Sequence, residues 1–267
     1  MSLPESVDAV VTEYLHRLDS RLPNVVDSLH LTGSLALEAF QPGHSDIDFT
    51  AVVRRPLSTD QITVLTDIHA GLPSQPMMDG QYATVSLLRR QPGADRQFLR
   101  VSDGRFDRVD TDTDTNTVPT ILLHELQCHA ITLRGDDPTA QGIGVDAAEL
   151  RRWLRDNLTD YWAPLAHQLH SQLADRLDDE PVNPETLVWS MSGPQRLHYT
   201  LNTGRILSKT AALRYALDRF DHVDRDLVDR CIAWRDGGDA TFTVADGRQA
   251  AVHIERVVSD AFASPTE

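Results

Sequence analysis

The chain has 267 residues, 40% hydrophobic, 24% charged and 6% aromatic, with a formal net charge of −15 at pH 7. That length suffices for a sizeable core in one large or two small domains, and no apolar run approaches the roughly 18 residues a membrane span needs. The acidic balance speaks against non-specific nucleic-acid binding, which requires Lys and Arg to neutralise phosphates.

An acidic surface suits a cationic partner and equally suits an acidic proteome, so charge alone leaves the substrate open. Cys128 and Cys231 make neither a disulfide framework nor a zinc pattern. With no basic-then-apolar secretion signal at the N-terminus, this cysteine usage places the chain in a reducing cytoplasm.

In chain order, residues 4–22 carry apolar side chains at 7, 10, 11, 15 and 18, the spacing of an amphipathic helix. Residues 28–32 read as a short buried strand, broken by Gly33-Ser34 and followed by a helical turn or two over 35–40. A strand is expected from Asp46 to Val53, and a helix over 56–72 opened by Ser58-Thr59-Asp60 and closed by Gly71 and Pro73. A third strand is expected over 81–88, and the polar stretch 103–117 reads as a surface loop. From Pro119 the pattern turns helical, with segments at 119–132, 146–177, 184–202, 205–219, 223–235 and 248–263. The reading is α+β: an N-terminal α/β domain with a small mixed sheet over 1–118, then a C-terminal helical bundle over 119–267.

Gly33-Ser34 and Ser45-Asp46-Ile47-Asp48 carry the chemistry. Gly33 lets backbone approach a phosphate, and the helix start behind it offers N–H groups to an anion. Side chains at i and i+2 of a strand share a face, so Asp46 and Asp48 project together. Paired carboxylates repel unless a cation sits between them, and such oxygen donors suit Mg²⁺ carrying a nucleotide's phosphates. The competing readings are a solvated strand end for the two aspartates and a plain helix cap for Ser34.

Gly-Ser, a ten-residue spacer and Ser-Asp-Ile-Asp on a strand resemble the signature of the polymerase-β-like nucleotidyltransferase superfamily. Within it the chain is most similar to the aminoglycoside adenylyltransferases that modify streptomycin and spectinomycin. A second patch, Arg196 to Lys209, resembles their ATP-binding run of Arg, Tyr, Thr-Gly and Lys. The resemblance implies a Mg²⁺-dependent enzyme that transfers AMP from ATP to a hydroxyl of a small molecule such as an aminoglycoside and releases pyrophosphate. It further implies that the helical domain closes over ATP and substrate. Asp46 and Asp48 would then be metal ligands and catalytic. Gly33, Ser34, Arg196 and Lys209 would bind nucleotide, and Trp234 would lie near it. A third carboxylate is expected on the next strand as metal ligand or general base. Asp79 is the acid nearest that place, where the family carries Glu.

Each assignment has a plainer alternative. Asp79-Gly80 is also a common turn pair, Arg196 and Lys209 could be surface ion pairs, and Trp234 could be core packing. Lys209 is the one lysine among the 25 basic residues, which adds weight to a phosphate role. Two other motifs fail. His124-Glu125 with His129 has histidines five apart where a zinc-protease helix needs four. Asp110, Asp112 and Asp114 lack the glycine and glutamate of a calcium loop, Thr115 and Ile121 standing in those places. Nucleotidylation of a protein or tRNA, and a non-catalytic nucleotide-binding relative, are the alternative functions.

Overall fold

The computed structural model describes residues 2–94, 97–110 and 118–263. It divides into two compact units, Met1–Val145 and Asp146–Glu267. The first contains α1 (Glu5–Arg21), β1 (Val26–Leu31), a short α2 (Gly33–Ala36), β2 (Ile47–Val53), α3 (Thr59–Ala70), β3 (Met78–Thr84), α4 (Val85–Leu88), β4 (Gln97–Ser102), β5 (Arg105–Asp110), α5 (Thr120–His129) and β6 (Ile131–Arg134). The strands form one mixed six-stranded sheet in the order β5-β4-β3-β2-β1-β6. β2 and β3 are parallel, and every other neighbouring pair is antiparallel.

Both faces of this sheet are covered, which is why β1 and β2 are buried over most of their length even where Ser28, His30 and Thr50 interrupt the apolar residues. On one face Leu29, Leu31, Phe49, Ala51, Tyr82 and Leu99 meet Val7, Val10, Tyr14 and Leu18 of α1 and Leu65 and Ile68 of α3. Ser58 starts α3 with a capping box, accepting the Gln61 N–H while the Gln61 side chain takes the Ser58 N–H. On the other face Val52, Ala83 and Phe98 meet Leu87 and Leu88 of α4 and Leu123 and Leu126 of α5. Period-2 alternation puts Ser28, His30, Thr50 and Gln81 on this second face as well, and all four are buried. Asp48 and Asp79 lie on the same face by the same alternation.

The second unit is helical: α6 (Ala147–Asn157), a π turn (Leu158–Trp162), α7 (Ala163–Leu173), α8 (Pro184–Thr203), α9 (Lys209–Arg219), α10 (Arg225–Arg235) and α11 (Val244–Ala263). Leu187, Val188, Leu213, Val228 and Phe242 form one core cluster, and Leu158, Trp162, Ala166 and Ile254 another. Asp246, buried in the first turn of α11, accepts two hydrogen bonds from Arg230 at 2.9 and 2.6 Å and one from the Thr243 N–H at 2.9 Å. That bidentate pair ties α10 to α11.

The α+β architecture, with a mixed sheet followed by helices, is as expected, but several details differ, among them Val85–Leu88, expected to continue the third strand and found as the short helix α4 after β3. Residues 105–110 are a strand rather than loop: Asp103 (φ 50°) and Gly104 (φ 69°) make a two-residue hairpin turn between β4 and β5. The 111–117 part of that expected loop, with Asp112, Asp114 and Thr115, lies outside the described residues. Ile131–Arg134 is an edge strand on β1 rather than the end of a helix. Residues 119–145 therefore belong to the sheet unit, and the division falls at Val145 instead of residue 118. Among the described residues no helix is long and apolar enough to cross a membrane.

Candidate active site

The first unit brings five of the expected residues to one end of the sheet. β1 ends at Leu31, and the Thr32 N–H continues the ladder by donating to the Asp48 carbonyl at 2.9 Å. The chain then turns at Gly33, whose φ of 64° is left-handed. A Cβ on Gly33 would strike the Asp48 carboxylate, so glycine is needed both for the turn and for the closeness of Asp48. The Gly33 N–H donates to Glu125 Oε1 of α5 at 2.6 Å. Ser34 Oγ is buried and has no hydrogen-bond partner.

Asp46 stands immediately before β2 and Asp48 within it, and both side chains are exposed. Ser45 shapes the approach: its N–H donates to the Gln41 carbonyl at 2.9 Å and its Oγ accepts the Gln41 N–H at 3.1 Å. Asp79 is not in a turn. It lies inside β3, in parallel register with Asp48, so the two carboxylates are lateral neighbours on one face. Gly80 follows because a Cβ there would strike the Phe49 carbonyl of β2. Asp79 Oδ2 accepts the Asp103 N–H of the β4–β5 turn at 3.1 Å, while Oδ1 is buried without a partner. Burial pushes the Asp79 carboxyl above its ordinary value; the Asp103 N–H opposes that shift and the Asp103 charge adds to it.

Among the described residues no three His, Cys, Asp or Glu side chains are grouped to hold a metal ion. Mg²⁺ ordinarily needs only one or two carboxylates, completing its shell with water and substrate phosphates. Asp46 and Asp48, as hard oxygen donors two residues apart, fit that requirement. The orphaned Ser34 hydroxyl and the glycine cradle against Asp48 fit an added phosphate.

Arg196, Lys209 and Trp234 belong to the second unit. Gly204 (φ 69°) caps α8, and its N–H donates to the Thr200 carbonyl at 2.8 Å. Arg196 Nε donates to the Leu207 carbonyl at 2.8 Å, and Ser208 caps α9 by accepting the Ala211 N–H. Lys209 is the exposed first residue of α9. Beside it Arg235 Nε donates to Thr210 Oγ1 at 3.0 Å. Burial and the nearby Arg196 charge hold the Arg235 guanidinium below its usual value. Three cations therefore gather at the α8–α9 connection, an arrangement suited to a polyanion. Trp234 is half-buried and packs against the core cluster of Leu187, Val188 and Leu227.

Glu125 and Arg235 are not legible as site residues from sequence alone. The available signal for Glu125 is a single acid in the mostly apolar stretch Ile121 to Leu126. For Arg235 it is a basic residue beside Trp234.

No protein-family model matches the chain, and no curated protein sequence does. Among solved structures, a spectinomycin adenyltransferase AAD(9) from Enterococcus faecialis, crystallised with ATP and spectinomycin, is similar with a TM-score of 0.62. The match covers 94% of this chain and 98% of that one at 14% sequence identity. At that identity the likeness is one of fold. The chain thus has an adenyltransferase-like α+β fold, with a mixed sheet and a helical C-terminal region.

Proposed function

We propose that this chain is a Mg²⁺- and ATP-dependent adenylyltransferase that passes AMP to a hydroxyl of a small molecule. The observation that carries the reading is the parallel register of Asp48 with Asp79, closed on one side by the Gly33-Ser34 turn. The shared fold with an adenyltransferase crystallised with ATP and spectinomycin supports it, and makes cationic aminoglycosides the first acceptors to test.

In this reading Asp46 and Asp48 hold Mg²⁺, which supplies charge neutralisation at the phosphates and the leaving pyrophosphate. The Ser34 hydroxyl donates to a phosphate oxygen, and Arg196 and Lys209 offset triphosphate charge. Asp79 takes the proton of the acceptor hydroxyl as that oxygen bonds to the α-phosphorus and the bond to pyrophosphate breaks. Burial raises its pKa, which makes it a stronger base than an exposed carboxylate, and its Oδ1 makes no hydrogen bond within the protein.

The test is incubation with ATP labelled at the α-phosphate, Mg²⁺ and a panel that includes streptomycin and spectinomycin, followed by mass spectrometry of the acceptors. Label on an acceptor hydroxyl supports the reading. Label on the protein itself or on added tRNA, with the panel unmodified, would replace the small-molecule acceptor.

A further inference from the structure

The Gly33 N–H faces a carboxylate supplied by the chain itself. Glu125 reaches from α5 across the second face of the sheet, and its Oε1 lies 2.6 Å from the Gly33 nitrogen, a short charge-assisted hydrogen bond. The same turn holds the Asp48 carboxylate against the Gly33 Cα. Two side-chain anions thus crowd one left-handed glycine. A carboxylate holds this N–H more strongly than a neutral amide would, and it puts a negative charge where a phosphate oxygen would bind.

We infer that Glu125 sets the affinity of the Gly33-Ser34 turn for phosphate by occupying it in the nucleotide-free protein. This inference rests on the nucleotidyltransferase reading of the site. A triphosphate oxygen and the Glu125 carboxylate are both acceptors competing for one N–H, and both are negative. Nucleotide binding therefore requires the carboxylate to leave, and its departure frees the donor. The Ser34 hydroxyl beside it is buried and without a partner, an unsatisfied donor for a second phosphate oxygen. Glu125 comes from a different element than the turn it occupies, so its side chain can leave the Gly33 N–H without unpairing the strands of the sheet.

The experiment is calorimetric titration of the full chain with MgATP, and separately with inorganic pyrophosphate, in wild type, Glu125→Gln and Glu125→Ala. Glu125→Ala, which removes the competitor, tightens MgATP by about tenfold, the scale of one charge-assisted hydrogen bond no longer broken on binding, and Glu125→Gln, which keeps a neutral acceptor on the same N–H, tightens it by less. Pyrophosphate tightens in parallel, since the competition is at phosphate and not at the base. Weaker binding in Glu125→Ala with wild-type affinity in Glu125→Gln overturns the inference and makes Glu125 a positioning residue that only holds the turn. Unchanged affinity in both variants overturns it too. Failure of all three proteins to bind MgATP removes the nucleotidyltransferase reading and this inference with it. Melting temperatures of the variants separate either effect from misfolding.

Discussion

Gly33 is the position where one atom decides the most. An alanine there would be held in a left-handed conformation and would drive its methyl into the Asp48 carboxylate. We expect Gly33→Ala to lose roughly 1–3 kcal/mol of stability, the range for a strained non-glycine residue. ATP binding should fall below detection at concentrations that saturate the wild type. Thermal melts and calorimetry check both outcomes. A second residue-scale expectation concerns Asp79, whose carboxyl is pushed upward by burial. A general base works when deprotonated, so kcat/KM should rise with pH through an apparent pKa above the ordinary carboxylate range. Asp79→Asn should abolish that limb, whereas a rate profile unaltered in shape would exclude Asp79 as the base. At this scale the strand that carries Asp48 and its closeness to the Gly33 turn were readable from the pattern, with Asp46 falling just before that strand. Glu125 was not, because nothing local ties residue 125 to residue 33; only the packing of α5 on the sheet brings them together.

Among the elements, Asp246 makes a buried bidentate tie within the helical unit. Its burial opposes ionisation, yet Arg230 and the Thr243 N–H together hold its carboxyl below the usual value. Asp246→Ala leaves Arg230 without its bidentate acceptor and should destabilise the unit by about 3 kcal/mol. A denaturant midpoint within error of wild type would contradict that assignment. Element reading from sequence succeeded where periodicity was long: α1, α3, α8, α9, α10 and α11 were all expected near their observed bounds. It missed β5 because Arg105 to Asp110 is rich in charge, although Asp103-Gly104 flanked by alternating residues is a hairpin signal. It missed β6 because four residues following a helix carry no period of their own. Only pairing with β1 makes them a strand. Missing β6 is also what drew the expected domain boundary too early.

Across the molecule, buried or partly buried histidines are held toward the neutral form. Burial lowers the pKa of His30 and His69 from 6.5 to about 4 and that of His253 to about 3. His69 sits under the aromatic cluster of Tyr14, Phe49 and Tyr82 with Nε2 at 2.8 Å from the Tyr82 hydroxyl. A depressed folded pKa means that the unfolded chain binds more protons. Stability is therefore fully present above pH 6.5 and is lost as pH falls toward 4, with His253 extending the loss toward 3. His30 and His69 each contribute on the order of 3 kcal/mol to that loss, and His253 more. Melting temperature should drop steeply over this window, and His69→Gln should flatten part of the slope. A flat profile between pH 6.5 and 4 would contradict the assignment of neutral buried rings.

The central claim joins the fold to one reaction, and Mg²⁺-dependent pyrophosphate release from ATP tests it most directly. The wild type, supplied with the aminoglycoside panel, should release pyrophosphate. Asp48→Asn, folded to the same melting temperature, should lose activity by at least roughly 10²-fold, the scale of removing one key electrostatic group from an active site. Equal release by both proteins, or none from the wild type with any small molecule despite measurable ATP binding, would contradict the account.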